Sequence, residues 1–409
     1  MPWTELRPVD QRMRFVLSVE AGEKPFSVLC AEAEVSRKSG YKWWDRWKRY
    51  GAAGLVELPR APLTRPQALD PVIAAACLGV RKAHPTWGPV KVKAWLERNQ
   101  PGASWPAAST IGELFDRTGL TVKRRRRRRG PPSSTPFAVC EAPNDLWCMD
   151  FKGWFRTGDG QRCDPFTLCD AQSRYLLRCQ VMERCDTEHV WPVLDAAFRE
   201  FGLPWWLRSD NGPPFASTGA GGLSRLAVKV IKAGVTPDRI EPGKPQQNGR
   251  LERFHLTLLR DAASPPAASL DAQQRRFASF RKTYNEERPH QALGGARPAD
   301  VHGRSPRRWD GILRHPHYES DEEVRRVRSN GEIKWRGELV YLNEALIGEW
   351  VALNESEKGW DVRFANVRLG RIDHDANTLR RPTRKACGPV DNPAGCPHPH
   401  RPHNHQKTT

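Results

Sequence analysis

The chain reads as a multidomain protein in which an α-helical N-terminal half leads into an α/β core and then into a small C-terminal β-barrel. Three observations carry that reading. Helical apolar spacing dominates up to about residue 120, strand-like runs alternate with helices between residues 146 and 260, and short alternating strands with Gly turns follow from Glu323. A length of 409 residues exceeds what one hydrophobic core usually organises.

The first helix is expected over Arg12–Ala21, with Phe15, Val16 and Val19 on one side and Gly22 placed to end it. A short helix over Ser27–Glu32 and a turn through Ala33 and Glu34 follow. Ser36 then caps a longer helix bearing Trp43, Trp47 and Tyr50 at core spacing. Three helices with a tight turn make a helix-turn-helix, whose last helix presents Arg37, Lys38 and Lys42 where such modules meet a DNA major groove. A small bundle with a solvated basic face is the plainer alternative.

A second helical segment starts after Pro71, with Val92, Trp95 and Leu96 at one spacing and Ile111, Leu114 and Phe115 at another, and Gly119 ends the last helix. Lys123, Arg124, Arg125, Arg126, Arg127, Arg128 and Arg129 then form an unbroken cationic run followed by Gly130, Pro131 and Pro132. Such a run cannot build a core, but each phosphate it neutralised would release counterions, so it should add salt-sensitive affinity for nucleic acid.

Beyond it, strands are expected over Leu146–Lys152, Pro165–Asp170 and Tyr175–Val181, then a helix over Thr187–Phe201 between Asp186 and Gly202, bent by Pro192, then a buried strand over Trp205–Ser209. Near the C-terminus Ile333 and Trp335 alternate after Asn330-Gly331, read as a hairpin turn, and Trp360, Val362 and Phe364 alternate in a later strand. The expected boundaries are 1–60 and 61–122 for two helix-turn-helix domains, 123–139 for a basic linker, 140–302 for the core, 315–379 for the barrel and 380–409 for a disordered tail.

Composition limits the partners. Lys and Arg number 66 against 47 acids, a formal charge of +19, which implies a polyanion. The longest apolar run, Val72–Val80, is too short to span a bilayer, and Met1–Asp10 lacks the apolar stretch of a secretory leader. The ten cysteines show no paired framework and suit a reducing compartment. Cys387 and Cys396 with His398, His400, His403 and His405 match no closed zinc site.

Three acidic phrases stand out. Asp150 lies in Trp147-Cys148-Met149-Asp150-Phe151-Lys152, toward the end of an apolar strand where an unpaired carboxylate would be costly. Asp210 lies in Ser209-Asp210-Asn211-Gly212-Pro213-Pro214, where the turn residues leave the carboxylate at a strand tip. Glu252 lies in Pro245-Gln246-Gln247-Asn248-Gly249-Arg250-Leu251-Glu252-Arg253-Phe254, a polar loop running into a helix at whose apolar margin it falls.

Together with His84-Pro85-Thr86-Trp87-Gly88-Pro89 and Tyr284-Asn285-Glu286-Glu287-Arg288-Pro289-His290, these phrases resemble the DDE transposases of bacterial insertion sequences, relatives of retroviral integrases with a ribonuclease-H-like core. Residues 211–251 run longer than the spacing usual in that family, and the Gly-rich Ser217–Ser224 is where a loop insertion is expected. Glu241 competes as third acid by spacing, but lacks the Asn-Gly context.

The resemblance implies that Asp150, Asp210 and Glu252 hold two Mg²⁺ ions, replaceable by Mn²⁺, about 3.5–4 Å apart. It implies cleavage at the inverted repeats of a mobile element and joining of the freed 3′-hydroxyl to target DNA. Lys244, Gln246, Asn248 and Arg253 are candidate grips on the DNA near the scissile phosphate. Double-stranded DNA, an assembly of at least two copies on it, no membrane, and a bacterial cytoplasmic, nucleoid-associated location complete the expectation. Arg325, Arg326 and Arg328 of the barrel are expected to add sequence-independent contacts. Asp170 is read as a turn former opposite Ser173, and His290 as a packing residue.

Overall fold

The computed structural model describes residues 7–58, 69–121, 140–240, 249–374 and 378–381. The basic linker, Glu241, Lys244, Gln246, Asn248 and the Cys/His tail lie outside them. The chain divides into two compact units, Met1–Leu69 and Asp70–Thr409.

The first unit holds α1 (Pro8–Ala21), α2 (Phe26–Glu32) and α3 (Arg37–Tyr50), closed by a 3₁₀ turn at Gly51–Leu55. Gly22 ends α1 in the left-handed region at φ 66°, and the Ser36 side chain accepts from the Ser39 amide at the start of α3. Phe15, Val16, Leu29, Cys30, Trp43 and Leu55 form its core. Tyr50, expected at a core position, is instead 66% exposed. The chain breaks from helix at Gly51 directly after it, and Leu55 joins Trp43 in the core in its place.

The second unit opens with α4 (Pro71–Ala83), α5 (Pro89–Asn99) and α6 (Ala108–Arg117), which bury Cys77, Val80, Val92, Leu96, Ile111, Leu114 and Phe115. Arg98 on α5 makes a two-pronged bond to Asp300 at 2.6 and 2.9 Å, tying this helical module to the core.

The core contains β1 (Leu146–Phe151), β2 (Phe155–Arg156), β3 (Arg162–Asp170), β4 (Leu176–Met182), α7 (Thr187–Phe201), β5 (Trp206–Ser209), α8 (Arg225–Lys232), β6 (Thr236–Arg239), α9 (Gly249–Leu258), α10 (Leu270–Glu286) and the short α11 (Pro298–Val301). A π-helical turn, Leu259–Ala263, follows α9. As the spacing predicts, β1, β3 and β4 form an antiparallel meander, and β5 joins β1 in parallel with β6 beyond it. The N-cap of α7 is Asp186, which accepts from the His189 amide.

Alternation along β1 sorts two layers. Trp147 and Met149 face α7 and α8, packing with Val190, Leu194, Phe198, Leu226 and Val230. Leu146 and Cys148 face the other way, packing with Leu251, Phe254 and Leu258 of α9 and Phe277, Phe280 and Tyr284 of α10. Helices thus cover both faces of a mixed sheet.

After the core come β7 (Glu323–Arg326), β8 (Glu332–Trp335), β9 (Glu338–Tyr341), β10 (Trp350–Ser356), β11 (Gly359–Phe364), β12 (Val367–Ile372) and β13 (Leu379–Arg380). The expected barrel is not closed among the described residues. One sheet runs β13-β12-β11-β10-β7, and β8 and β9 form a separate hairpin. The hairpin turns at Arg336-Gly337, where both residues have positive φ, whereas Asn330-Gly331 turns the chain just before β8.

The Gly-rich Ser217–Ser224 is folded against this C-terminal sheet. Ala220 and Leu223 share a buried cluster with Ala227, Val228, Leu342, Leu346 and Leu369. A Cβ on Gly219 would stand 2.5 Å from the Asn343 amide nitrogen, so only glycine permits that approach. Among the described residues no helix is long and apolar enough to cross a membrane.

Candidate active site and DNA-facing surfaces

Asp150 sits next to last in β1, on the face of the sheet that carries α9, because it shares parity with Leu146 and Cys148. The parallel ladder pairs Cys148 with Arg208, so the same register carried two residues on sets Asp210 beside Asp150, just past the end of β5. Glu252 lies in the first turn of α9, exposed, while Leu251, Phe254, His255 and Leu258 are buried. Two strand ends therefore set Asp150 and Asp210 side by side at one rim of the sheet, and Glu252 lies in the first turn of the helix that packs on that face.

The electrostatics of Asp150 report that proximity. Burial first, then the Asp210 carboxylate and more weakly Glu252, push its carboxyl up to about 7, against the opposing pull of the Phe151 N–H and Lys152. Its Oδ1 accepts from the Phe151 amide at 2.8 Å, and Asp210 Oδ1 accepts from the Gly212 amide at 3.1 Å, which ties each carboxylate to its own local backbone. The donor set is hard oxygen under mutual repulsion, the chemistry that a divalent cation relieves. As they stand, no three His, Cys, Asp or Glu side chains among the described residues are grouped to hold one ion.

His255, which the sequence marks only as part of an apolar face, braces Asp150. Its Nε2 lies 2.8 Å from Thr167 Oγ1, whose own proton goes to the Asp150 carbonyl at 3.1 Å, so the ring nitrogen is the donor in that pair. Nδ1 then faces Asp150 Oδ2 at 4.0 Å. Burial, aided by Lys152, lowers the imidazole to about 4 and keeps it neutral. The sequence signal for this role is its place three residues after Glu252, one turn along α9.

Asp170 closes a turn, accepting from Ser173 N and Oγ at 2.6 Å and from Asn144 N at 2.7 Å. His290 packs edge-on to Tyr284 with ring centroids 4.8 Å apart. Arg37, Lys38 and Lys42 all lie exposed on α3, and Arg253 lies exposed on α9 next to Glu252. In the C-terminal sheet Arg325 pairs with Glu323, Arg326 donates to the Gly348 carbonyl, and Arg328 is exposed.

Comparison with known proteins matches the helical modules and the α/β core. Two models described as integrase core domain match residues 141–245 and 233–298, a helix-turn-helix domain model matches 11–62, and a homeodomain-like domain model matches 39–115. The insertion element IS407 uncharacterized 31.7 kDa protein of Burkholderia multivorans is 30% identical over 254 residues, covering 61% of this chain and 88% of that protein. The insertion element IS476 uncharacterized 39.2 kDa protein of Xanthomonas euvesicatoria is 28% identical over 191 residues, covering 46% of this chain and 53% of that protein. The catalytic core domain of BIV integrase is similar at 20% identity over 39% of this chain and 93% of its own, with a TM-score of 0.31. With 88% of the IS407 protein spanned and both integrase-core models on the α/β layer, the chain belongs to the insertion-element transposases that carry an integrase-type core.

Proposed function

We propose that this transposase cuts DNA at the terminal inverted repeats of its own element and joins the freed 3′-hydroxyl to target DNA, with Asp150, Asp210 and Glu252 as its catalytic acids. The observation that carries the reading is the common rim. Sheet parity and parallel register bring two half-buried carboxylates side by side beneath a helix that starts with a third, and Asp150 responds to both. A protein that only binds DNA gains nothing from acids so placed, because they repel the backbone it must approach.

The three carboxylates would hold two Mg²⁺ ions, or Mn²⁺ in their place, which when bound supply the Lewis acidity for in-line displacement at phosphorus. The rest falls to the chain. Asp150 and Asp210, each pinned by a backbone amide, keep fixed positions while Glu252 closes from α9, and His255 with Thr167 keeps the end of β1 in register. Arg253, with Lys244, Gln246 and Asn248 before it, would grip the backbone near the scissile phosphate. The 1–60 and 61–122 modules would bind the element ends, with Arg37, Lys38 and Lys42 of α3 in the major groove and the 123–139 run tracking phosphates. The 140–302 core would act in assemblies of at least two copies, since two ends must be held together, at the nucleoid in the bacterial cytoplasm.

The test uses the full chain, labelled DNA carrying the inverted repeats that flank its gene, and a supercoiled target. Wild type should cut the ends and join them to the target in Mg²⁺ or Mn²⁺. Asp150→Asn should lose both activities by several orders of magnitude while still binding the repeats. Cleavage retained by that variant would overturn the assignment, and cleavage without joined product would make the protein a nuclease instead.

A further inference from the structure

The rim carries one side chain that neither packing nor the three acids account for. Trp154 is 55% exposed, four residues after Asp150. Large aromatic rings normally contribute their apolar area to a core or an interface, so an indole more than half exposed close in sequence to Asp150 calls for a partner.

Its exposure comes from a β-bulge. Phe151 pairs with Phe166 and Phe155 pairs with Cys163, so four steps along one strand oppose three along the other, and one residue is extra. Gly153 takes φ 90° inside the bulge, and the Lys152 amide bonds to the Pro165 carbonyl at 2.9 Å to keep the strands together. The extra residue reverses the parity of the strand. Phe155 joins the buried cluster of Leu146 and Cys148, a place that unbroken alternation would have given to Trp154. The bulge thus frees the tryptophan from the core and leaves it on the surface four residues beyond Asp150.

Two cations flank the ring. The Arg162 guanidinium lies 5.2 Å from its centroid and that of Arg156 lies 5.8 Å away. Each is held in place: Arg162 donates to Asp164 at 2.6 and 3.1 Å, and Arg156 donates to the Gly160 carbonyl at 2.6 Å. Asp164 offsets part of the Arg162 charge, but the remaining guanidinium edge and that of Arg156 stay exposed. A half-exposed aromatic ring with guanidinium groups over it is a surface that single-stranded nucleic acid uses, with a base stacked on the open part of the ring and flanking phosphates on the cations.

We propose that Trp154 is a stacking platform for one unpaired base of the DNA held at this rim, with Arg156 and Arg162 receiving the neighbouring phosphates. At about 3.3 Å per residue, four residues put the two Cα atoms within roughly 13 Å of each other, about the span of two or three nucleotides. Stacking on Trp154 fixes a frayed strand at a set distance from the phosphate to be attacked. The inference rests on the reading of this core as one that processes DNA, but it concerns binding and does not depend on the chemistry.

The experiment uses the full chain in EDTA and a short duplex with a single-stranded overhang, in which 2-aminopurine replaces one overhang base at a time. Wild type should quench the probe at one position and bind the overhang duplex more tightly than a blunt one. Trp154→Ala should abolish the quenching and weaken overhang binding by about fivefold or more, with blunt-duplex affinity and thermal unfolding unchanged. Trp154→Phe should keep most of both signals. Equal quenching by wild type and Trp154→Ala would overturn the proposal, as would an equal loss on blunt and overhang DNA. Should Asp150→Asn retain cleavage while the Trp154 signals persist, the catalytic assignment fails and this one stands.

Discussion

The basic face of α3 and the acidic rim of the core solve opposite electrostatic problems. Arg37, Lys38 and Lys42 sit in water, where a charge costs nothing to keep and needs no tertiary support. Asp150 and Asp210 are half-buried beside each other, where a charge is costly and must be fixed by backbone amides on either side. A basic surface can therefore be read from one helix, whereas a set of half-buried acids needs two strands, a helix and the register that joins them. The difference predicts that the two proposed functions come apart cleanly under mutation.

The largest effect that would break this comparison is a cross-over. Replacing Arg37, Lys38 and Lys42 together by Ala should weaken binding to the inverted repeats by about tenfold or more and lower the salt slope of log K by roughly one per lost phosphate contact. The Asp150→Asn variant should leave both quantities unchanged. Filter binding or anisotropy across a salt series would show it, and a salt slope that moved with the rim variant would mean that the two regions share one DNA path.

A smaller effect tests whether the core is also independent of the C-terminal sheet. Asn343 is buried, donates from Nδ2 to the carbonyls of Ala220 at 3.2 Å and Leu223 at 3.0 Å, and accepts from the Ala345 amide at 3.0 Å. Asn343→Ala takes the acceptor from the Ala345 amide and one donor from each carbonyl, of which Leu223 keeps the Ser217 hydroxyl, and should cost about 1–3 kcal/mol of stability in urea unfolding. If the Ser217–Ser224 segment were merely a loop over solvent, the loss would be near zero.

That segment also shows where the sequence is legible and where it is not. The three acidic phrases, the caps of α1, α3 and α7 and the β1-β3-β4 meander follow from local rules, because turn residues and apolar periods act over a few neighbours. Ser217–Ser224 reads as an inserted loop because its glycines carry no pattern, yet it packs on residues more than a hundred positions away. The helix after it escapes the sequence reading, although Ser224 caps it and Leu226, Val228 and Val230 are buried. Strand β6, Thr-Pro-Asp-Arg, has one strand-favouring residue beside Pro and Asp, which disfavour strands, and exists because the edge of β5 is there to receive it. The C-terminal alternation is visible, but whether such strands close into a barrel depends on tilt and stagger that no single strand encodes. The bulge at Gly153 is equally hidden, since only pairing with β3 shows the extra residue.

Acid sensitivity gives a finer test of the core. Burial, then Arg288, and further Lys91 and Arg174, lower His290 to about 3, so the native ring stays neutral where an unfolded one, near 6.5, takes a proton. The sign follows: this contribution to stability is complete above about pH 6.5 and is lost as pH falls from there toward about 3. His290→Asn should make the decline in urea midpoint over that window shallower. It should not make it flat, because His255 is likewise held neutral, its imidazole lowered to about 4. An unchanged slope would mean that the ring is solvated.

The smallest effect concerns the tie between the second helical module and the core. The Arg98 and Asp300 side chains are 45% and 23% exposed, so their pair is screened and should contribute only about 0.5 kcal/mol despite its two-pronged geometry. Arg98→Ala leaves Asp300 still bonded to Arg297 Nη2 at 2.8 Å and to the Arg297 amide at 2.9 Å, so no carboxylate is orphaned. Asp300→Ala removes both arginine partners and the N-terminal cap of α11 at once, and should cost more. Urea unfolding of the two variants would rank them. If Arg98→Ala proved the costlier, the second helical module would be held by that one contact and coupled to the core far more tightly than the exposure of the pair implies.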